Sequence, residues 1–274
     1  MPLARRTWLF VPGADPAAHQ RAARSGADVI VLELEDFTPP ELRPKARSLS
    51  SSAFALWRQH GALAAVRINP LEDCGLDDLA AIDRPDVLMM SKVATPEQVA
   101  RLEAAAPPGV ELVPNIESAA GLVRTLEIAR ASRRVSALLV ASEDMVADLG
   151  TERSREGVEL AYVRSRFLLE CRAAGVEAID CPYTFSDLKG ALADARYAKQ
   201  LGYRMKSVVD PSHVKALNAV FTPSARELAH ARKVVAAFER ARAAGRERAK
   251  VNGALVEVPI YAAAKRLLAT VAHS

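Results

Sequence analysis

The sequence predicts an α/β protein, a (β/α)₈ barrel followed by a C-terminal helical extension. Two observations lead to this prediction. Eight short apolar runs of strand-forming residues recur along the chain, and segments with helical spacing separate them. Alternation of strands and helices implies parallel strands joined by crossovers, and eight such units close into a barrel. The length of 274 residues suits one barrel with an extension.

The eight predicted strands are short, and several of the helical segments between them end in glycine, as helix C-termini tend to do. An open doubly wound sheet is the alternative, but it lacks support because "VPGADP" follows the first strand where a GxGxxG fingerprint would stand. In chain order the strands are "TWLFV" (7–11), "DVIVLEL" (28–34), "AAVRI" (64–68), "DVLMMS" (86–91), "ELVPNI" (111–116), "SALLVA" (136–141), "EAID" (177–180) and "YRMKSVV" (203–209).

The pattern changes after the eighth strand. A cap signal at Thr222–Pro223–Ser224 starts a long helix, Asn252–Gly253 indicates a turn, and a last helix begins near Pro259. We therefore predict a catalytic barrel over residues 1–222. We predict a helical extension over residues 223–274, which serves as a lid or as an arm that contributes to an oligomer interface.

Composition excludes several classes of protein. The chain is 50% hydrophobic and 26% charged, with a net charge of +4 and no dense basic block, so no nucleic acid partner is expected. Its three cysteines fit neither a zinc site nor a disulfide framework, which favours reduced thiols and a cytoplasmic location. There is no signal peptide pattern and no apolar run of about 18 residues, so no membrane association is expected.

Charged residues close most of the predicted strands. In a (β/α)₈ barrel the chemistry gathers at the C-terminal ends of the strands, which meet on one rim. That rim would carry a ring of carboxylates with one arginine and one lysine. The residues that close the strands, in order, are Pro12–Gly13, Glu35–Asp36, Arg67–Asn69, Lys92, Glu117, Glu143–Asp144, Asp180 and Asp210.

Two of these acids are candidates for a metal site. Carboxylates in one cleft repel each other unless a cation lies among them. Oxygen ligands without nearby histidines suit Mg²⁺, or Mn²⁺, better than zinc. We predict that Glu117 and Asp144 form the metal-binding pair and that Arg67, on a neighbouring strand, binds a substrate carboxylate in bidentate fashion.

Each strand-end residue also has a simpler explanation. A single acid after a strand is often a helix N-cap or a first-turn acid, and Asp36, Asp180 and Asp210 could be only that. Lys92 could be a structural ion-pair partner. The ring as a whole is harder to explain by capping than any one of its members.

Eight segments, spread over nearly the whole chain, together form a recognisable pattern. They are "RRTWLFVPGADP", "GADVIVLELED", "VRINPL", "MSKV", "NIESAAGL", "SEDMVADLG", "GYRMKSVVDPSHVKALNAVFTPS" and "ALVEVP". In their order and spacing they resemble the citrate lyase beta subunit-like enzymes of the HpcH/HpaI aldolase/citrate lyase superfamily. The resemblance implies a TIM barrel, usually trimeric or a dimer of trimers, that acts as a magnesium-dependent carbon–carbon lyase. Such enzymes cleave or form a 3-hydroxyacyl thioester of the malyl-, citramalyl- or citryl-CoA type, with a 2-oxoacid and an acyl-CoA thioester as partners.

The resemblance also implies roles for individual residues. The magnesium ligands of the family fall on Glu117 and Asp144, and its substrate-binding arginine falls on Arg67. Glu35 and Asp36 match acids that lie near the metal and act through water. Glu257 of "LVEVP" matches an acidic position near the C-terminus that is donated across the subunit interface, where it would act as the catalytic base.

Four departures from the family pattern put the substrate in question. Glu33 stands where the family often has Asp, Ala141 where Gly is usual, and Asp210 where His is usual, and "ADPAAHQ" lacks the basic residue common after "VPG". Two alternatives therefore remain open, a class II 2-oxoacid aldolase acting on free hydroxy acids and a catalytically degenerate member. The aldolases typically keep a histidine after the second strand, and "ELEDFTPP" has none.

Overall fold

The computed structural model describes residues 5–272, which form two compact units, Arg5–Phe221 and residues 222–272. The first unit confirms the predicted fold class. Eight parallel strands form a closed barrel, each paired with the next in sequence, and the eighth pairs with the first. The strands are β1 (Thr7–Pro12), β2 (Val29–Glu33), β3 (Leu63–Ile68), β4 (Val87–Met90), β5 (Glu111–Ile116), β6 (Ala137–Val140), β7 (Glu177–Asp180) and β8 (Met205–Val208).

Helices follow the strands around the outside of this barrel. Side-chain caps start several of them, among them Asp15, the Thr95 capping box and Asp187. The helices of the first unit are α1 (Pro16–Ala23), α2 (Arg43–Gln59), α3 (Gly75–Ala81), α4 (Pro96–Ala105), α5 (Ala119–Leu122), α6 (Thr125–Arg130), α7 (Glu143–Asp148), α8 (Ala161–Ala174), α9 (Leu188–Leu201) and α10 (Val214–Phe221).

The barrel interior is a packed core. Successive side chains of a strand point to opposite faces, so every second residue faces inward. The inward residues form one apolar cluster that includes Trp8, Phe10, Val31, Ala65 and Val113. Continuing this alternation toward the C-terminal ends brings Glu33, Arg67, Asn115 and Glu117 inward, above that cluster. The local pattern therefore aims four polar side chains into the barrel mouth.

Asp180 does not belong to this mouth, which corrects the sequence prediction, and it caps no helix either. It is fully buried beside Cys181. Arg164 of α8 donates to both of its carboxylate oxygens at 2.8 and 2.7 Å, and Lys206 Nζ of β8 donates to Oδ2 at 2.6 Å. Asp194 of α9 completes a buried network of two cations and two anions. Because Arg164 and Asp194 lie on helices outside the barrel and Lys206 on the neighbouring strand is fully buried, Asp180 has a structural role.

Asp210, by contrast, is the N-cap of a short helical turn, which is the simpler of the two explanations that the sequence offered for it. Its Oδ1 accepts a hydrogen bond from the backbone N–H of Ser212 at 2.8 Å and starts the short 3₁₀ turn Pro211–His213.

The second unit has its own secondary structure and core. It consists of α11 (Ala225–Ala243), an antiparallel hairpin of β9 (Ala249–Val251) and β10 (Ala254–Val256), and α12 (Val258–Ala272). The Ser224 capping box starts α11, and Phe238 stacks on Tyr261 at 4.7 Å between ring centroids. The predicted functions of this extension, as a lid or an oligomer interface, stay predictions. Across residues 5–272 no helix has both the length and the apolar content needed to cross a bilayer.

One glycine allows the loops around the barrel mouth to approach each other. The Gly13 N–H donates to Glu33 O at 3.0 Å, and a Cβ at Gly13 would lie 2.7 Å from that oxygen and 2.8 Å from Ala46 Cβ. We expect Gly13→Ala to lower the free energy of unfolding by about 1–3 kcal/mol, as overpacking does, measured by urea denaturation. Exposed Ala17→Ser, which also adds one heavy atom, should change it by less than about 0.5 kcal/mol. Equal stability of the two variants would contradict this explanation.

Candidate active site

The centre of the barrel mouth is a buried clamp between Glu33 and Arg67. The Arg67 Nε and Nη2 donate to the two carboxylate oxygens of Glu33 at 3.0 and 2.7 Å. The same oxygens accept the backbone N–H groups of Glu35 at 2.7 Å and Phe37 at 3.0 Å. The Glu33 carboxylate thus accepts hydrogen bonds from the Arg67 side chain and from the backbone of the loop after β2. Because of these bonds, Glu33 fixes both the direction of Arg67 and the path of that loop.

Three further carboxylates surround the Arg67 guanidinium. Its Nη2 lies 3.1 Å from Glu35 Oε2 and 3.4 Å from Asp36 Oδ2, and its Nη1 lies 3.5 Å from Glu117 Oε1. Burial alone would lower the pKa of Arg67, but Glu33, Glu117 and Glu35 raise it above its ordinary value, so the guanidinium is permanently charged. The structure thus brings together Arg67, Glu35, Asp36 and Glu117. This agrees with the prediction that the residues at the C-terminal ends of the strands meet on one rim of the barrel.

Lys92 is the second cation of the mouth. Its Nζ lies 2.6 Å from Glu35 Oε1, and this hydrogen bond raises the pKa of the ammonium group. The residue has φ 54°, a left-handed conformation that is uncommon for a residue with a side chain. Its neighbours are held on both sides, Ser91 N to Ile68 O at 3.2 Å and Val93 N to Asn115 O at 3.0 Å. The strained backbone therefore directs Lys92 to Glu35, and the ion-pair reading of this lysine is confirmed.

Glu117 has the most perturbed carboxyl group of the mouth. It is 3% exposed, and its Oε2 has no hydrogen-bond partner. Burial raises the pKa of Glu117 to about 8, the charges of Glu35, Asp144 and Asp36 add to the rise, and Arg67 opposes it. An unpaired buried carboxylate oxygen is costly, so this atom points to a ligand that the protein itself does not supply.

Asp144 lies in the first turn of α7 and is half-buried. Burial raises its pKa, and the charge of Asp36 raises it further, while Lys92 and Arg67 lower it. The neighbouring Glu143 is exposed and turns elsewhere, since it accepts a hydrogen bond from Thr184 Oγ1 at 2.7 Å. Only one of the two adjacent acids therefore interacts with the carboxylates of the mouth.

Asp148 links helix α7, which carries Asp144, to the segment that follows Glu117. It lies at the end of α7, and its Oδ2 accepts the backbone N–H of Ala119, the first residue of α5, at 2.7 Å. Sequence reasoning missed this contact and the Glu33 clamp. The sequence could have indicated the contact between Glu33 and Arg67. Glu33 alternates with Val29 and Val31 on β2, so its side chain lies on the same, inward face of the strand.

The donor set of the mouth fits a magnesium ion. Glu117 Oε2 and both polar atoms of the Asn115 amide are buried without partners, and the carboxylates raise one another's pKa. Within residues 5–272 no group of three or more His, Cys, Asp or Glu side chains could hold a metal ion on its own. Mg²⁺ typically takes one or two protein carboxylates and keeps water or substrate oxygens at its other positions. Glu117 and Asp144 are close enough for the charge of Asp144 to raise the pKa of Glu117, and their role as the metal-binding pair stays a prediction.

Glu257 belongs to the extension and follows β10. Its Oε1 lies 3.1 Å from Arg248 Nε, and both side chains are about half exposed. The role of Glu257 as a base donated to another subunit stays a prediction. The methyl group of Ala141, one of the departures from the family pattern, is buried just after β6.

Comparison with known proteins gives consistent matches over most of the chain. The family model of HpcH/HpaI aldolase/citrate lyase matches residues 6–211. Citrate lyase subunit beta of Escherichia coli strain K12 is 34% identical, with 96% of this chain and 92% of that protein covered. The L-malyl-CoA/beta-methylmalyl-CoA lyase of Cereibacter sphaeroides is 32% identical, with 92% and 90% covered.

Among solved structures, the protein CitE from Mycobacterium tuberculosis, in complex with magnesium, acetoacetate and coenzyme A, matches with a TM-score of 0.79. It is 28% identical, and the match covers 97% of each chain.

Proposed function

Because the chain belongs to the HpcH/HpaI aldolase/citrate lyase family and is a carbon–carbon lyase, we propose that it cleaves or forms a 3-hydroxyacyl thioester in a magnesium-dependent reaction. The products of cleavage would be a 2-oxoacid and an acyl-CoA thioester, with a malyl-, citramalyl- or citryl-CoA type of substrate. The observation that supports this most is the unpaired buried oxygen of Glu117 beside Asp144 and Arg67.

Glu117 and Asp144 would hold the metal ion. When bound, magnesium supplies a Lewis acid that polarises the oxygens of the 2-oxoacid and offsets the negative charge that develops there. Glu35 and Asp36 would act on this site indirectly, through Arg67 and Lys92 or through water. Since Glu33 holds Arg67 Nε and Nη2, we expect the Nη1 group, whose only contact is the long one of 3.5 Å with Glu117 among the described residues, to face a substrate carboxylate or alkoxide.

In the direction of synthesis, the proposed role of Glu257 is to take the α-proton of the acyl thioester. The enolate then attacks the carbonyl carbon of the 2-oxoacid, and Arg67 stabilises the alkoxide that forms. The alkoxide then takes a proton from water to give the hydroxyl group. Cleavage is the reverse sequence: the hydroxyl group loses its proton to water, the carbon–carbon bond breaks, and the protonated Glu257 returns the proton to the enolate. A homotrimer, or a dimer of trimers, would bring Glu257 of one subunit to the barrel of another, in the cytoplasm.

A panel of substrates tests the proposed reaction. Acetyl-CoA or propionyl-CoA is mixed with glyoxylate, pyruvate or oxaloacetate, with Mg²⁺ or EDTA, and mass spectrometry follows the thioester products. We expect one hydroxyacyl-CoA that forms only with Mg²⁺. A parallel incubation contains pyruvate and a free aldehyde but no thioester. A condensation product in that incubation would instead identify the class II aldolase. Hydrolysis of the thioester to free CoA, without a new carbon–carbon bond, would also contradict the proposal.

Lys92 provides a prediction at the edge of this site. Lys92→Met removes the ammonium group that neutralises Glu35, so we expect kcat/KM to fall by about 10- to 100-fold, the range for a group that supports the reacting centre. Lys92→Arg should retain more of the activity, because it keeps the charge. The exposed Lys45→Met on α2 is the matched control. Steady-state kinetics in which Lys92→Met and Lys45→Met behave alike would contradict the prediction.

A further inference from the structure

The two proposed metal ligands lie on separate elements of the barrel. Glu117 follows the last residue of β5, and Asp144 lies in the first turn of α7. The last hydrogen bond between β5 and the segment after β6 is the one from the Ala141 N–H to Ile116 O, at 2.9 Å. Both acids lie beyond this bond. The pairing of the strands therefore does not by itself fix the distance between the two carboxylates.

Asp148 provides a second connection between these elements. Its Oδ2 accepts a hydrogen bond from the backbone N–H of Ala119 at 2.7 Å. Together with the last bond of the strand pairing, this bond closes a ring that consists of residues 116–119 and residues 141–148. Each of the two proposed ligands lies in one segment of this ring. A hydrogen bond on either side therefore holds them.

The geometry of α7 relates Asp148 directly to Asp144. The two residues are four positions apart on the helix Glu143–Asp148, and side chains at this spacing lie on the same face, one turn apart. A bond to Asp148 consequently fixes the rotation of α7 about its own axis. The same rotation determines the direction in which Asp144 points.

The acceptor of this connection bonds a segment that is itself held in place. Ala119 is the first residue of the single-turn helix α5, where the Ser118 hydroxyl accepts the Gly121 N–H at 3.2 Å. A Cβ at Gly121 would lie 2.6 Å from Val93 O, so α5 packs directly on the segment after β4. The start of α5 is therefore a firm support for the bond from Asp148.

We propose that Asp148 is a positioning residue, whose hydrogen bond to Ala119 holds Glu117 and Asp144 at the spacing that a metal ion requires. It acts through these two side chains, and the inference rests on the metal site proposed above. A site that is ordered before its ligand arrives loses less conformational freedom when the ligand binds. The net contribution of one hydrogen bond corresponds to about three- to tenfold in affinity, so its loss should weaken metal binding by about that factor.

Binding of Mn²⁺ to the full-length protein, followed by electron paramagnetic resonance, tests this role. We expect Asp148→Ala to bind Mn²⁺ about three- to tenfold more weakly than the wild type. Asp148→Asn keeps an oxygen that can accept the Ala119 N–H, and should bind within about twofold of the wild type. The control Asp15→Ala removes a carboxylate that likewise accepts backbone N–H groups, at the start of α1, and should not change Mn²⁺ binding.

Three results would overturn the positioning role. Unchanged Mn²⁺ binding in Asp148→Ala would show that the bond does not support the site. Equal weakening in Asp148→Ala and Asp15→Ala would show that only general stability was lost. Equal weakening in Asp148→Asn and Asp148→Ala would assign the effect to the charge of Asp148 and not to its hydrogen bond.

Hydrogen exchange of the metal-free protein separates this inference from the proposed function. Asp148→Ala should speed exchange of the Ala119 amide, and unchanged exchange there would overturn the connection even if the metal site is correct. Failure of the metal site has a different result. Mn²⁺ binding that Glu117→Gln and Asp144→Asn both leave intact would refute the site, and the positioning role with it.

Discussion

Glu117→Gln is expected to lower kcat/KM for the lyase reaction by about a thousandfold, or about 4 kcal/mol of transition-state stabilisation. The substitution keeps the shape of the side chain and removes the carboxylate whose Oε2 is buried without a hydrogen-bond partner. It should not destabilise the protein, because burial already disfavours the charged form of Glu117 and raises its pKa to about 8. Loss of activity with an unchanged melting temperature would separate the function of Glu117 from folding.

Binding of Mn²⁺, followed by electron paramagnetic resonance, gives a readout that does not depend on turnover. We expect Glu117→Gln and Asp144→Asn to weaken Mn²⁺ binding at least tenfold, and Glu117→Ala/Asp144→Ala to abolish it. Glu143→Gln is the matched control, since Glu143 adjoins Asp144 in sequence but contacts Thr184. Unchanged Mn²⁺ binding in both single variants, or activity that persists in EDTA, would refute the metal site.

Arg67→Met is expected to remove activity and to lower the free energy of unfolding by about 3–5 kcal/mol. Arg67 is the guanidinium that Glu33 holds through two hydrogen bonds and that Glu35, Asp36 and Glu117 approach within 3.5 Å. Without it, the buried carboxyl groups of Glu33 and Glu117 lose their cation, and Glu35 keeps only Lys92. Urea denaturation measures the loss of stability, and Arg101→Met, which breaks an exposed ion pair with Glu72, should cost less than about 1 kcal/mol.

A double variant separates the two roles of Arg67. Adding Glu33→Gln to Arg67→Met removes the carboxylate that the arginine neutralises most directly, so part of the lost stability should return. Activity should not return, because the guanidinium that stabilises the alkoxide in the proposed reaction is absent. Recovery of activity in Arg67→Met/Glu33→Gln would show that Arg67 only supports the fold. Full stability of Arg67→Met alone would contradict the structural role.

The sequence was sufficient to predict the barrel and the position of each strand in the chain. All eight predicted strands are present, and most boundaries agree within one or two residues, because apolar runs and helical spacing are local signals. The rim residues Arg67, Glu35, Asp36 and Glu117 could be grouped for a general reason, since the C-terminal ends of parallel barrel strands meet on one side. The choice of Glu117 and Asp144 as the metal-binding pair came from the same ring of carboxylates, the family resemblance implied the same pair, and their role as ligands stays a prediction.

The tertiary structure alone decided where each charged side chain points. Asp180 ends a strand like Glu117 does, but it faces the helix layer and pairs there with Arg164 and Lys206. Glu33 was noted only as a departure from a pattern, yet it holds Arg67 and the loop after β2. One residue of register reverses the face of a strand residue, and its charge partners lie on elements distant in the chain. For that reason the composition of the rim can be read from the sequence, whereas its ion pairs depend on the closed barrel.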